Sequence, residues 1–236
     1  MRVHDPIGGP PDLDSFFQAY DQHFQGLGSY ERHLQRLAAG YSRGDGPDEL
    51  RSTFSFAVQK LVEADEKSRA QYGADKNILA HHGRYAALFR AALIYLTFGL
   101  CLRAPRFEIE AILRCCDRGD PLLETLARVA APGSEARQLA PAFYRIFDRL
   151  YDALGAPSNQ RPGLILQYLN VWYREKMEGF AFKGDHLLKQ RWAYVGYWCF
   201  EAAGVVAALG IEDTMLVDHP QYPSDLVAFY RAQNTS

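Results

Sequence analysis

The sequence predicts an all-α protein of roughly nine helices, arranged as two packed helical subdomains. Three observations lead there. Apolar residues recur at i, i+3 and i+4 along most of the 236 residues. Nowhere is there a sustained period-2 alternation bounded by turn dipeptides, or a strand, glycine-rich loop and helix in succession. The run 192–230 opens too apolar for a surface helix and closes as a proline-punctuated acidic loop, and its 39 residues include no Lys or Arg.

Taken in order, residues 1–11 read as a disordered tail, 12–130 as an N-terminal helical domain and 137–236 as a C-terminal one. The break between the two, Ala-Pro-Gly-Ser-Glu at 131–135, is short, so the halves are expected to pack on each other. Asp12 or Asp14 caps a helix over 13–25 with Phe16, Phe17, Tyr20 and Phe24 along one side. A second helix covers 31–39 and stops at Gly40, before a loop at 42–47. The helix over 49–72 turns Leu50, Phe54, Ala57, Val58, Leu61 and Val62 inward and Lys60, Glu63, Lys67 and Arg69 outward, until Gly73 closes it. Residues 77–102 have little polar surface in their second half, which makes them the central helix of the first half. After a shorter helix over 107–116, Asp120 and Pro121 cap and start one that runs to 129. Helices over 141–154 and 163–177 follow, although the aromatics of the second would also suit a strand. A spine helix begins at 186 or 187 and ends at Gly210.

A formal net charge of −2 supplies no general attraction to nucleic acid or anionic lipid, so neither is an expected partner. The N-terminus has no apolar segment of the signal-peptide kind, and the most apolar stretch, 78–102, is interrupted by His81, His82, Arg84 and Arg90. A cytoplasmic protein is expected. Cys101, Cys115, Cys116 and Cys199 lack C-x-x-C spacing and read as reduced core residues.

The common phosphate, dinucleotide, hydrolase and zincin signatures are missing. His81 and His82 are neighbours pointing about 100° apart on a helix, so they cannot chelate one ion together. Pro47-Asp48 with Asp65-Glu66-Lys67 imitates a metal-dependent nuclease motif. Its pieces, however, lie about 26 Å apart on one helix, too far to share a metal. No catalytic, cofactor-binding or metal-ligating residue is therefore expected, and no cofactor.

The residue most like a functional group is Glu201. On the expected spine helix it shares an apolar stripe with Tyr194, Tyr197, Trp198, Ala202, Val205 and Leu209, so it must be paired, hydrogen-bonded or protonated. A structural carboxylate bound by Arg84, Arg90 or a tyrosine hydroxyl is preferred to a general acid or base, because no second acid, nucleophile or metal ligand matches it. Further on, Glu212, Asp213 and Asp218 fall in a short loop, His219-Pro-Gln-Tyr-Pro stiffens the chain, and Ser224 or Asp225 caps a last helix over 226–232. One reading is a solvated connector. The other is a recognition surface for a basic partner, with Glu212, Asp213, Asp218, His219, Tyr222 and Asp225 as the contacting residues.

The residues Gly196, Tyr197, Trp198, Phe200, Glu201, Ala202, Ala203, Leu209, Gly210, Ile211, Asp213, Tyr222, Pro223, Asp225 and Leu226 form a pattern that resembles the C-terminal domain of the PoNe-immunity (PoNi) family. The likeness is strong over about the last 50 residues. Over residues 41–116 it extends to the family's N-terminal helical domain in pattern and length only. Gln221 departs from it, since an aromatic often precedes the tyrosine in the family. The resemblance implies a helical, cytoplasmic, non-enzymatic immunity protein. Its partner would be a cognate DNase toxin of the PD-(D/E)xK superfamily, secreted by a contact-dependent system such as type VI. Within the motif Gly196, Trp198 and Glu201 are expected to hold the fold, while the loop over 212–225 meets the toxin. Two alternatives stand beside this: an interaction scaffold for another partner, and an enzyme using Glu201, which requires a pocket opening onto that residue. Homodimer formation is left open.

Overall fold

The computed structural model describes residues 29–73, 86–116, 119–134, 144–176, 184 and 196–234. The expected tail, the helix over 13–25, His81, His82 and Arg84 lie outside them, as does the expected start of the spine helix. Nine α-helices are present among the described residues, with no sheet: α1 (Ser29–Arg43), α2 (Pro47–Tyr72), α3 (Ala86–Cys101), α4 (Arg106–Arg114), α5 (Pro121–Ala130), α6 (Asp148–Gly155), α7 (Arg161–Val171), α8 (Phe200–Leu209) and α9 (Ser224–Ala232). A 3-10 turn, Arg145–Phe147, leads into α6, and a π turn, Trp172–Lys176, extends α7. The all-α expectation holds.

A helix that is apolar all round has to be surrounded, and α3 is the example. From Phe89 to Cys101 every residue is buried. Helices α1, α2, α4, α5, α8 and α9 all pack on it, so the central role expected of this segment is met. Apolar residues from both sides of the 131–135 break join one buried cluster, from Tyr30 and Leu34 through Leu93 and Leu126 to Val205 and Val227. On α2 the inward residues Leu50, Phe54, Ala57, Val58 and Leu61 are buried as the helical period requires. Arg51 bridges from this helix to Glu108 of α4 at 2.6 Å. Asp120 accepts the Leu122 N–H at 2.8 Å, and Pro121 sits in the first turn, so α5 begins as its sequence directs.

Several boundaries differ from expectation. Gly40 does not end α1, which continues to Arg43. The helix there is held by its packing, and a Cβ at Gly40 would stand 2.6 Å from the Asp45 carboxylate. The helix expected over 141–154 enters as a 3-10 turn at Arg145 and becomes α-helical at Asp148. The largest correction concerns the spine. Residues 196–199 are not helical, and the described helix starts only at Phe200. Tyr197 and Trp198 therefore do not share a helical stripe with Glu201.

The reason is a set of tertiary bonds that a continuous helix could not make. Ser42 Oγ, at the end of α1, donates to Ala38 O and accepts from both the Gly196 N–H at 2.8 Å and Trp198 Nε1 at 3.1 Å. The Cys199 N–H donates to Gln221 O at 2.8 Å. The Trp198 indole folds back over Gly196, where a Cβ would fall 2.3 Å from Nε1. Tyr41 meets Trp198 and Phe200 edge-on at 5.3 and 5.4 Å.

Two substitutions test this packing. Trp198→Ala removes a buried indole and one Ser42 bond, and is expected to cost about 3–5 kcal/mol in urea unfolding. At Gly204, α8 lies so close to α3 and α5 that a Cβ would meet Thr97 Oγ1 at 2.1 Å and Leu126 Cδ2 at 2.8 Å. Gly204→Val should destabilise by about 1–3 kcal/mol or more, read as a lowered thermal midpoint.

Candidate partner-binding surface

Glu201 is fully buried in the first turn of α8. Its Oε1 accepts from Arg90 Nε of α3 at 3.1 Å, from the Tyr168 hydroxyl of α7 at 3.1 Å, and from Trp172 Nε1 of the π turn at 2.7 Å. Arg90 is 1% exposed, and its guanidinium also lies 5.4 Å from the Phe147 ring centroid. Burial first, and then the Glu201 charge, push the Tyr168 hydroxyl well above its ordinary value, so it remains a donor. Burial likewise keeps the adjacent Cys199 a thiol. Three donors thus converge on one oxygen of an interior carboxylate, while the buried Oε2 has no hydrogen-bond partner among the described residues. The Glu201 side chain has no exposed surface, and the open cleft described below is not lined by it.

Gly210, at φ 59°, ends α8 in the left-handed conformation that glycine adopts freely, and the chain turns into the acidic loop. There the six residues expected at a partner surface separate into two groups. Asp213 and Tyr222 are 4% and 2% exposed and cannot be offered to a partner. The Tyr222 hydroxyl donates to Asp213 Oδ2 at 2.8 Å, while Arg231 of α9 ion-pairs with Asp213 Oδ1 and donates to Ile211 O at 2.6 Å. An acid in an apolar loop base stays inside only when paired, and Arg231, the residue just beyond the base-free run, supplies the charge.

The other four are at least partly accessible. Glu212 and Asp218 are exposed, and Glu212 Oε1 accepts the Thr214 N–H at 3.2 Å. His219 is half-buried; burial holds its imidazole below the usual value, consistent with Nδ1 accepting the Gln221 N–H at 3.3 Å. Asp225 is half-buried in the first turn of α9, where a carboxylate opposes the helix dipole favourably. It is not a cap: Pro223 occupies that position and no side chain bonds there, contrary to the expectation for Ser224 or Asp225. Its charge, after burial, helps to raise the Tyr41 hydroxyl above its ordinary value. The departure at Gln221 leaves the main-chain bonds of this residue intact.

A second acidic feature escaped the sequence reading. An open cleft of about 800 Å³ between α6 and α7 is lined by Asp148, Asp152 and Glu175, and Arg149, the one lining cation among the described residues, is paired with Asp152 at 3.3 Å. Asp148 and Asp152, one helical turn apart, are the only sequence sign of it. Among the described residues no group of three or more His, Cys, Asp or Glu could hold a metal ion, and no helix is long and apolar enough to cross a membrane.

Residues 118–226 match the family described as PoNe immunity proteins (PoNi), C-terminal. The chain carries a PoNi C-terminal region. The PoNi match takes in α5 through the start of α9, and so contains Glu201, Tyr168, Trp172 and the acidic loop, while Arg90 and Arg231 lie outside it. Among solved structures, the crystal structure of protein PA2201 from Pseudomonas aeruginosa is similar, with 21% identity and a TM-score of 0.63 over 94% of this chain and 86% of that one. That likeness concerns the fold. No curated protein matches.

The buried and exposed acids of the PoNi motif are expected to differ sharply in stability assays. Glu201→Ala strands Arg90 without its partner in the interior and should cost about 3–5 kcal/mol in urea unfolding. Asp213→Lys sets a cation against Arg231 and should lower the thermal midpoint, whereas Glu212→Lys should leave stability within about 0.5 kcal/mol.

Proposed function

We propose that this protein is a cytoplasmic immunity protein that binds and inhibits a cognate antibacterial DNase toxin, protecting the cell that makes it, without catalysis. The PoNi match over residues 118–226 carries this reading, because it takes in the acidic loop and the helix that leads into it. The toxin would be delivered by a contact-dependent system such as type VI, and a nuclease surface shaped to attract phosphate is one that exposed carboxylates also attract. Glu212 and Asp218 present charge directly, with His219 and Asp225 at the margin. Asp213 and Tyr222 act from beneath by holding the loop in shape, which spares the partner the cost of ordering it. The burial of Glu201 favours inhibition by binding over the enzymatic alternative.

Co-expression with the cognate nuclease toxin tests the reading. Cells making both are expected to survive and cells making the toxin alone to die; failure to rescue overturns it. In a binding titration, Glu212→Lys with Asp218→Lys should slow association and flatten its salt dependence while thermal stability stays unchanged. Unaltered association in that variant would remove the loop from the interface.

A further inference from the structure

The acidic loop carries one residue of the wrong chemistry for a solvated connector. Met215 is 53% exposed, although the residues around it in sequence are sorted cleanly between inside and outside. Ile211, Asp213 and Leu216 point into the core, and Glu212, Thr214 and Asp218 face solvent. The backbone on both sides of Met215 is pinned. The Leu216 and Val217 N–H groups donate to Asp213 O at 2.8 and 3.1 Å, and the His219 N–H donates to Leu216 O at 2.9 Å. Asp213 is itself fixed by Tyr222 and Arg231. The thioether thus projects from a rigid turn with carboxylates on either side of it in the chain.

We propose that Met215 is the apolar anchor of the toxin interface, entering a hydrophobic recess on the nuclease that is rimmed by Lys or Arg side chains. This deepens the immunity reading and rests on it. Two physical arguments choose that occupant. The flanking Glu212 and Asp218 are complementary to a cationic rim and would repel an acidic or lipid surface. An apolar centre enclosed by polar groups that exclude water is also the arrangement in which a single side chain dominates affinity, and a Met adapts to an irregular recess. The other exposed large apolar residues lack this setting. Phe56 lies against His33 and beneath Lys60, and Phe107 stands in the first turn of α4, outside the acidic loop.

The test uses the full chain and the purified, catalytically inactivated nuclease domain of the toxin from which this protein rescues cells, with affinities measured at low and high salt. Met215→Ala is expected to weaken binding about 10-fold or more, by the same factor at both salt concentrations, because the lost contact is apolar. Met215→Leu should bind within about 3-fold of the unmodified chain, and Phe107→Ala, an exposed apolar control, should bind unchanged. Glu212→Lys with Asp218→Lys should show its loss chiefly at low salt. Binding by Met215→Ala within about 2-fold of the unmodified chain overturns the anchor, and a loss for Phe107→Ala in its place moves the apolar contact to α4. Absence of binding by the unmodified chain overturns the immunity reading as well, so the two failures are distinguishable.

Discussion

Arg90 and Glu201 meet at 3.1 Å with both side chains essentially dry, and the positions of three helices depend on that meeting. Transferring either charge from water is costly, so the pair persists only with good geometry and further hydrogen bonds. Tyr168 and Trp172 supply those bonds from α7 and its π extension. One carboxylate oxygen therefore fixes α8 against α3 and α7 together. A slip of α8 by one residue would replace the acid with Phe200 or Ala202 and leave a guanidinium unpaired. The pair is best understood as setting register, since well-packed apolar residues of similar volume can be equally stable in such a place.

The acidic loop inherits its order from this interior. With α8 held in register, Gly210 releases the chain at a defined point and direction, and Arg231 returns from α9 to close the loop base on Asp213 and Ile211. The segment before α8 is tied in the same way, through Ser42 to α1 and through Gln221 to the loop. Residues of the matched C-terminal region are thus completed by α1 and α3, which lie ahead of it in the chain. The loop is presented by the whole helical assembly, and its acids divide by neighbour: an arginine draws Asp213 inside, while Glu212 and Asp218 face outward.

The helical class and the inward faces of α2 and α3 could be read from the sequence because burial on a helix leaves a 3.6-residue period. The interior role preferred for Glu201, and Arg90 as a possible partner, followed from the cost of burying an acid. The extended geometry of residues 196–199 could not be read, because local spacing is helical there and the deciding bonds come from Ser42, more than 150 residues earlier. The same limit applied to the loop. Asp213 looks like its neighbours in sequence, and only the approach of Arg231 from a later helix separates it from them. The α6–α7 cleft, made of acids distributed over two helices, has no contiguous sequence signal at all.

The central claim is that the helical fold holds the loop after α8 as a preformed surface, proposed above to meet a nuclease toxin. Amide hydrogen exchange on the free protein and on its complex with the inactivated toxin tests this most directly. The account predicts that peptides over 211–219 gain protection in the complex while those over α3, already slow in the free protein, do not change. Unchanged exchange over 211–219, with new protection confined to α6 and α7, would contradict it.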